Sequence, residues 1–175
     1  AAETAGALGT TGTVTVLDGA TLALSGNITV TRALANVGGF GDGGNGAIRN
    51  LSGTNTITGL ITLGAPALIT ADVGSTLNLG TVAATAILTG SNFLNFGGSG
   101  TINVGGAIGA VAGFVKTGLG TLVLNGANTY TGAITVSLGT LKLGTATTLG
   151  TASVAISSGG VADLNKISAG LAAKF

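Results

Sequence analysis

The feature of this sequence that most constrains its fold is an internal repeat, which is clearest in residues 116–144. Three short runs within it alternate, or nearly alternate, apolar with small polar residues: 121–124 (TLVL), 133–136 (AITV) and 140–143 (TLKL). Clusters of Gly, Asn and Ser separate these runs. Because successive side chains on a strand point to opposite faces, the pattern predicts short strands joined by sharp bends.

Shorter or interrupted copies of this pattern occur along the rest of the chain. Residues 51–63 align without a gap onto residues 124–136. The alignment then slips, because the earlier copy carries extra residues around 65–70, which we interpret as a longer rung or a protruding loop. We expect one domain over residues 1–175, with its clearest repeat units at 12–30, 50–80, 116–144 and 151–164.

Stacking of the repeats solves the problem that a strand of four or five residues buries only one face. Turns of about 20 to 25 residues, stacked at about 4.8 Å, would pair each strand with the turns above and below it. The inward Leu, Val and Ile would then form one continuous core, and outward Thr and Asn would form ladders. The sequence therefore predicts an all-β fold, a parallel β-helix (β-solenoid) of about seven or eight rungs and about 35 Å in length. A β-sandwich or jelly roll is the alternative, since it also contains many short strands, but the self-similarity favours the solenoid.

The same stretch resembles the autotransporter-associated β-strand repeat of bacterial autotransporter passengers and very large secreted proteins. The resemblance implies that the β-helix is right-handed and lies outside the cell or on the bacterial surface, as a stalk, an adhesive surface or a scaffold. It brings no catalytic residue, and the fold by itself does not define an activity. The repeat signature consists of Lys116, Gly118, Gly120, Thr121, Leu122, Leu124, Gly126, Asn128, Tyr130, Gly132, Val136, Gly139 and Leu141.

Composition excludes several classes of protein. Six basic and five acidic residues give a net charge of +1, which leaves no basic field for nucleic acid. Hydrophobic residues make up 45% of the chain and the mean hydropathy is +0.70, yet no apolar run approaches the roughly 20 residues of a spanning helix. We therefore expect a chain that does not span a membrane. Its 34 glycines fit frequent turns, and its abundant Leu, Ile and Val conflict with disorder.

The absence of cysteine and histidine excludes disulfides and limits catalytic chemistry. A polysaccharide lyase on this fold would need a base such as Arg49 or Lys116, but Lys116 belongs to the repeat signature, which favours a structural role at a bend. We predict no catalytic, cofactor or metal site and no enzyme activity. Ala1 and Ala2 are followed by neither a basic nor an apolar segment, so a signal peptide has been removed or the sequence is a piece of a longer chain.

Three other patterns have both a structural and a functional interpretation. Residues 38–46 are rich in glycine. They begin with a pattern that is one residue shorter than a calcium-binding turn and that occurs once in the chain, so we interpret them as a loop. Thr-x-Thr pairs resemble an ice-binding face but do not recur at one rung spacing, so we interpret them as ordinary strand residues. Phe93, Phe96 and Phe114 are predicted to stack in the core. Residues 165–175 lose the repeat pattern, and a terminal turn, a short helical cap and a frayed end all remain open. The Thr pairs are Thr13/Thr15, Thr29/Thr31, Thr54/Thr56/Thr58 and Thr129/Thr131.

These observations predict a non-enzymatic, extracellular structural module that acts as a rigid stalk or adhesin segment. Its partners would be the flanking repeats of a longer chain, with surface glycans as a further candidate. The alternative is a filament subunit, since the terminal rungs of a solenoid present unpaired strand edges that can pair with another copy. Residues 1–10 contain one charged residue, which offers little repulsion against such end-to-end stacking.

Overall fold

The computed structural model describes residues 8–9, 11–81, 85–144, 148–149 and 152–164. The residues discussed above at 1–7 and 165–175 lie outside this part. Within it, the chain forms short strands and one 3-10 turn, Asp42–Gly44. The strands are β1 (Val14–Thr15), β2 (Leu22–Leu24), β3 (Thr29–Val30), β4 (Leu34–Gly39), β5 (Ile48–Asn50), β6 (Thr54–Ile57), β7 (Ile61–Ala71), β8 (Thr76–Leu79), β9 (Ala86–Thr89), β10 (Leu94–Gly98), β11 (Thr101–Val104), β12 (Ala107–Ile108), β13 (Phe114–Lys116), β14 (Thr121–Leu124), β15 (Ala127–Asn128), β16 (Ile134–Val136), β17 (Gly139–Leu143), β18 (Thr148–Leu149), β19 (Val154–Ile156) and β20 (Gly160–Asp163).

The strands stack in two long parallel sheets. The main path of the first sheet runs β1-β4-β7-β10-β13-β16-β19, and β2, β5, β9 and β12 pair beside it. The second sheet runs β3-β6-β8-β11-β14-β17-β20, and β15 pairs with β18 at a corner. Since the chain alternates between the sheets, the described residues build a β-solenoid of about seven turns, as the sequence predicts. A sandwich is excluded because the sheets pair each strand in parallel with the equivalent strand of the next turn.

The later turns of the solenoid repeat at a constant interval in the first sheet. Ile108 and Asn128 are joined by a hydrogen bond between neighbouring turns, and they lie 20 residues apart in the chain. The first sheet follows the same interval from β10 to β19, so we call this part the narrow turns. Its successive inward partners are Leu94, Phe114, Ile134 and Val154.

Alternation along each strand turns the repeat into a core. In the second sheet, β14 has buried Leu122 and Leu124 between half-buried Thr121 and Val123. This is the pattern that a strand with one covered face requires. The partners of the two leucines in the next turn, Leu141 and Leu143, are buried in the same way, so the inward side chains form continuous columns.

The turns on either side of β7 are wider. The hydroxyl oxygens of Thr62 and Thr89 lie 3.5 Å apart on neighbouring turns, although these residues are separated by 27 residues of chain. Ala67 and Leu94 pair at the same interval, so we call the turns around β7 the wide turns. The extra residues around 65–70 lie inside β7, which is 11 residues long, so they form a longer rung rather than a protruding loop. One end of β7 pairs with β9 and the other with β5, so the wide turns remain hydrogen-bonded along both halves of this strand.

Polar ladders follow the outer face of the second sheet, as predicted. Asn103 Nδ2 donates to Asn78 Oδ1 at 2.9 Å, one turn away. A column of threonines runs beside this amide pair, on the same outward face. Its members are Thr54, Thr76, Thr101, Thr121 and Thr140.

The prediction that three phenylalanines stack in the core is wrong for Phe93. Phe96 and Phe114 are fully buried, whereas Phe93 is 43% exposed. Leu94 and Phe96 occupy the inward positions of β10, so alternation directs Phe93 outward. Its ring lies beside the backbone of Gly113, where an added Cβ would be 3.3 Å from the ring Cζ.

The glycine-rich residues after β4 form a closed turn. Gly38 and Gly39 belong to the end of β4, and β5 begins at Ile48. Between them, Asn45 Nδ2 donates to the carbonyl oxygen of Asp42 at 2.8 Å, which closes the 3-10 turn. Within the described residues, no helix has the length and apolar character needed to cross a membrane.

Candidate functional site

Lys116, the first residue of the signature, lies buried inside a bend. It is the last residue of β13 and points inward, with 2% of its surface exposed. Its Nζ donates to the carbonyl oxygens of Thr117 at 2.6 Å, Gly118 at 2.7 Å and Leu138 at 3.2 Å. The first two carbonyls belong to its own bend and the third to the next turn. The lysine therefore ties two turns together, and its burial keeps it away from any polymer substrate.

An aromatic column runs through the core beside this bend. Phe96, Phe114 and Tyr130 pack edge to face, with ring centroids 5.5 Å apart in both pairs and interplanar angles of 85° and 82°. Such pairs add about 0.5–1.5 kcal/mol each beyond the area they bury. Tyr130 is fully buried, and its hydroxyl has no hydrogen-bond partner within the described residues.

Replacing Tyr130 by phenylalanine is expected to raise the free energy of unfolding by about 1 kcal/mol. The change keeps the ring in the aromatic column and removes a buried hydroxyl whose desolvation is not compensated. Urea denaturation followed by circular dichroism would measure the difference. A loss of stability in this variant would show that the hydroxyl has a partner that contributes to the fold.

Two buried groups make the stability of the fold depend on alkaline pH. Burial lowers the pKa of Lys116 from 10.5 to about 8 and raises the pKa of Tyr130 above its ordinary value of 10. Between pH 8 and 10.5 the unfolded lysine binds a proton that the folded one has lost, so stability rises with pH. Above pH 10 the unfolded tyrosine loses a proton that the folded one keeps, so stability falls.

The free energy of unfolding should therefore rise by about 1–2 kcal/mol from pH 7.5 and pass through a maximum near pH 10. The carbonyl bonds of Lys116 favour its charged form and keep this rise small. Denaturation curves from pH 7 to 11 would measure it. The Lys116→Met variant should lack the rise, and Tyr130→Phe should lack the fall. If both variants keep the pH profile of the original chain, other groups cause the pH dependence of its stability.

Asn128 holds a corner of the solenoid. Its Oδ1 accepts from the N–H of Ile108 at 2.8 Å, one turn earlier, and its Nδ2 donates to the carbonyl of Gly126 at 3.0 Å. Asn55 makes the same kind of contact, accepting from the N–H of Ile28 at 2.8 Å and donating to the carbonyl of Ser52 at 2.8 Å. Both asparagines are buried, and they occupy matching positions of the two aligned repeats. The gap-free alignment is the sequence signal that identifies Asn55.

The signature glycines lie where successive turns come closest. A Cβ on Gly132 would be 1.8 Å from the carbonyl oxygen of Ala112, and one on Gly120 would be 2.0 Å from that of Gly100. Gly118 has a φ of 69°, which favours glycine in any case. The remaining members are the outward Thr121, the close-packed Gly126, Gly139 at the start of β17, and the buried core residues Leu122, Leu124, Val136 and Leu141.

Arg49, the other candidate base, forms an ion pair on the outer face of the first sheet. Its Nη2 lies 2.7 Å from Asp72 Oδ2, and its Nε lies 3.0 Å from Asp72 Oδ1. The hydrogen bond with Asp72 raises the pKa of Arg49 further, so the guanidinium cannot act as a base. The pair borders an open groove of about 280 Å³. The sequence does not reveal this pair, because its partners lie 23 residues apart and only the stacked register joins them.

The described residues contain no group of three or more Asp, Glu, His or Cys side chains that could hold a metal ion. Asp42, from the calcium-like glycine stretch, lies at the start of the 3-10 turn and uses its backbone carbonyl to close that turn. The contacts of Lys116 and Asn128 join one turn to the next.

Parallel strands, inward columns and tied corners define a repeat protein of the β-solenoid class. Residues 114–143 match the family model described as the passenger-associated-transport-repeat. The chain is also 38% identical over 117 residues to a curated protein of Brucella suis biovar 1 (strain 1330) named adhesin BmaC autotransporter. That match covers 65% of this chain and 3% of the relative. The chain thus carries a repeat of the autotransporter passenger family, which confirms the resemblance. No solved structure matches the chain significantly.

Proposed function

We propose that this chain is a non-enzymatic segment of an extracellular bacterial passenger, where it acts as a rigid stalk or adhesin element. The observation that carries the proposal is the unbroken hydrogen bonding of both long sheets from turn to turn over the described residues. In a solenoid each turn contacts only its neighbours, so stiffness depends on that continuity. The ties made by Lys116 and Asn128 strengthen the joints between turns.

The comparison with the adhesin supports a place within a larger protein. The chain spans only 3% of the length of that relative. We therefore propose flanking repeats as its neighbours and the cell surface or the extracellular medium as its location. The roles of Arg49 in an ion pair and of Lys116 in a bend support the absence of enzyme activity.

Surface labelling tests the location. Antibodies raised against the purified chain are expected to label intact cells of the source bacterium. Labelling that appears only after the cells are made permeable would overturn the proposal. Antibodies against a cytoplasmic protein of the same cells provide the control for intact envelopes.

Negative-stain electron microscopy across a dilution series separates the segment from the filament alternative. A segment should give discrete rods about 34 Å long over its seven described turns. Uniform filaments one solenoid wide that persist on dilution would replace the segment with a self-assembling subunit, in which strand edges pair between copies.

A further inference from the structure

We propose that the groove beside the Arg49–Asp72 ion pair binds one neutral sugar unit of a glycan. This sugar groove is bordered by Asn45, Arg49, Leu68, Asp72, Gly97 and Thr117. Its volume of about 280 Å³ lies at the small end of ligand pockets, which suits a single sugar ring rather than a large ligand. The proposal goes beyond the structural function above and does not depend on it.

The floor of the groove exists because Gly97 interrupts an outward column of side chains. Arg49, Thr70 and Gly97 are successive partners in the first sheet, and Thr117 lies one turn further. A Cβ on Gly97 would lie 3.2 Å from both Leu68 Cδ1 and Thr117 Oγ1. The side-chain ends of Leu68 and Thr117 therefore converge above the glycine and form the floor of the groove with it.

The two banks of the groove are held in place by hydrogen bonds of the fold. On one side, Thr70 Oγ1 donates to the carbonyl oxygen of Asn45 at 2.6 Å, which fixes the end of the 3-10 turn against β7. On the other side, Lys116 holds the carbonyls of Thr117 and Gly118. Because both banks are anchored, a ligand would meet a preformed surface, which lowers the entropic cost of binding.

The polar groups of the groove match the chemistry of sugar hydroxyls. Arg49 uses Nε and Nη2 toward Asp72, while Nη1 has no hydrogen-bond partner in the described part of the chain. The planar pair thus offers donors beside carboxylate acceptors, and adjacent hydroxyls on a sugar both donate and accept. Leu68 supplies an apolar border for the C–H face of the ring.

The charge of the groove favours a neutral sugar over an acidic one. Asp72 lies 2.7 Å from Arg49 and offsets its charge, so a carboxylate ligand would meet a repelling oxygen next to the guanidinium. A free monosaccharide is a small ligand, so its dissociation constant would be on the order of millimolar.

Amide-resolved NMR titration of the isotope-labelled chain tests the proposal with glucose, galactose, mannose, N-acetylglucosamine and glucuronate as probes. At least one neutral sugar should give saturable shifts at Gly97, Gly98, Thr117 and Gly118. Gly97→Val should abolish these shifts, because its side chain would displace Leu68 and Thr117 into the groove. Arg49→Met should weaken binding at least about tenfold. The matched control is Lys142→Met, which removes an exposed ion pair on the second sheet at 3.4 Å and should leave the shifts unchanged.

Three results would overturn the proposal: no saturable shift at these amides with any neutral sugar, shifts that persist in Gly97→Val, or binding of glucuronate alone. If Arg49→Met does not fold, Gly97→Val decides the question, because Gly97 lies in a strand and the atoms that its added Cβ would crowd are the ends of side chains, which can shift. Failure of sugar binding would leave the rods and the surface labelling unaffected, so the two proposals fail separately.

Discussion

Replacing Phe114 by alanine is expected to lower the free energy of unfolding by about 3–5 kcal/mol, the usual cost of removing a buried aromatic ring. Phe114 is fully buried and is the middle ring of the aromatic column, so its loss breaks two edge-to-face contacts at once. Its neighbours sit on hydrogen-bonded strands in adjacent turns, which limits their collapse into the cavity. Urea denaturation followed by circular dichroism measures the effect.

Phe93→Ala provides the matched control, because the same side chain is removed from a position that is 43% exposed. This variant should lose less than about 1 kcal/mol, as surface substitutions usually do. Equal losses in the two variants would contradict the role given to the aromatic column.

Replacing Gly132 by alanine is expected to cost about 3 kcal/mol, although it adds only one methyl group. The new Cβ would lie 1.8 Å from the carbonyl oxygen of Ala112, and backbone cannot move aside as a flexible side chain can. The turns on both sides would have to separate at this corner. The loss should appear as a lower midpoint in the same denaturation experiment.

Gly109→Ala is the matched control for this effect. Gly109 also lacks a positive φ, but the nearest atoms to its added Cβ are at 3.4 Å, which is ordinary contact. Alanine there should leave stability unchanged or raise it by about 0.5 kcal/mol, because it restricts the unfolded chain. A neutral Gly132→Ala would show that the turns can separate without cost.

Periodicity was sufficient to predict the stacked fold. The alternation at Leu122 and Leu124 specifies one covered face, and its return in neighbouring repeats requires the strands to lie in register. A lysine inside the repeat indicated a role at a bend, and Lys116 does bind three carbonyls there. The alternation and the lysine are both visible in the repeat sequence itself, so they can be recognised without knowing how one turn lies on the next.

Features that depend on how one turn meets the next could not be predicted in this way. The outward position of Phe93 depends on where β10 begins, and a sequence defines strand boundaries only loosely. The Arg49–Asp72 pair forms because residues 49 and 70 are brought side by side, which requires the register of the wide turns. The residues inserted between repeats determine that register, and the similarity of one repeat to another does not reveal how the inserted residues pair.

The change in turn length has a mechanical consequence. The wide turns around β7 place 27 residues between paired positions, against 20 in the narrow turns from β10 onward, so the wide turns have the longer perimeter. The bending resistance of a rod increases steeply with its cross-section. Under a sideways load, curvature should therefore concentrate in the narrow turns that follow residue 94, which contribute Gly97 and Thr117 to the groove, while the wide turns keep their shape.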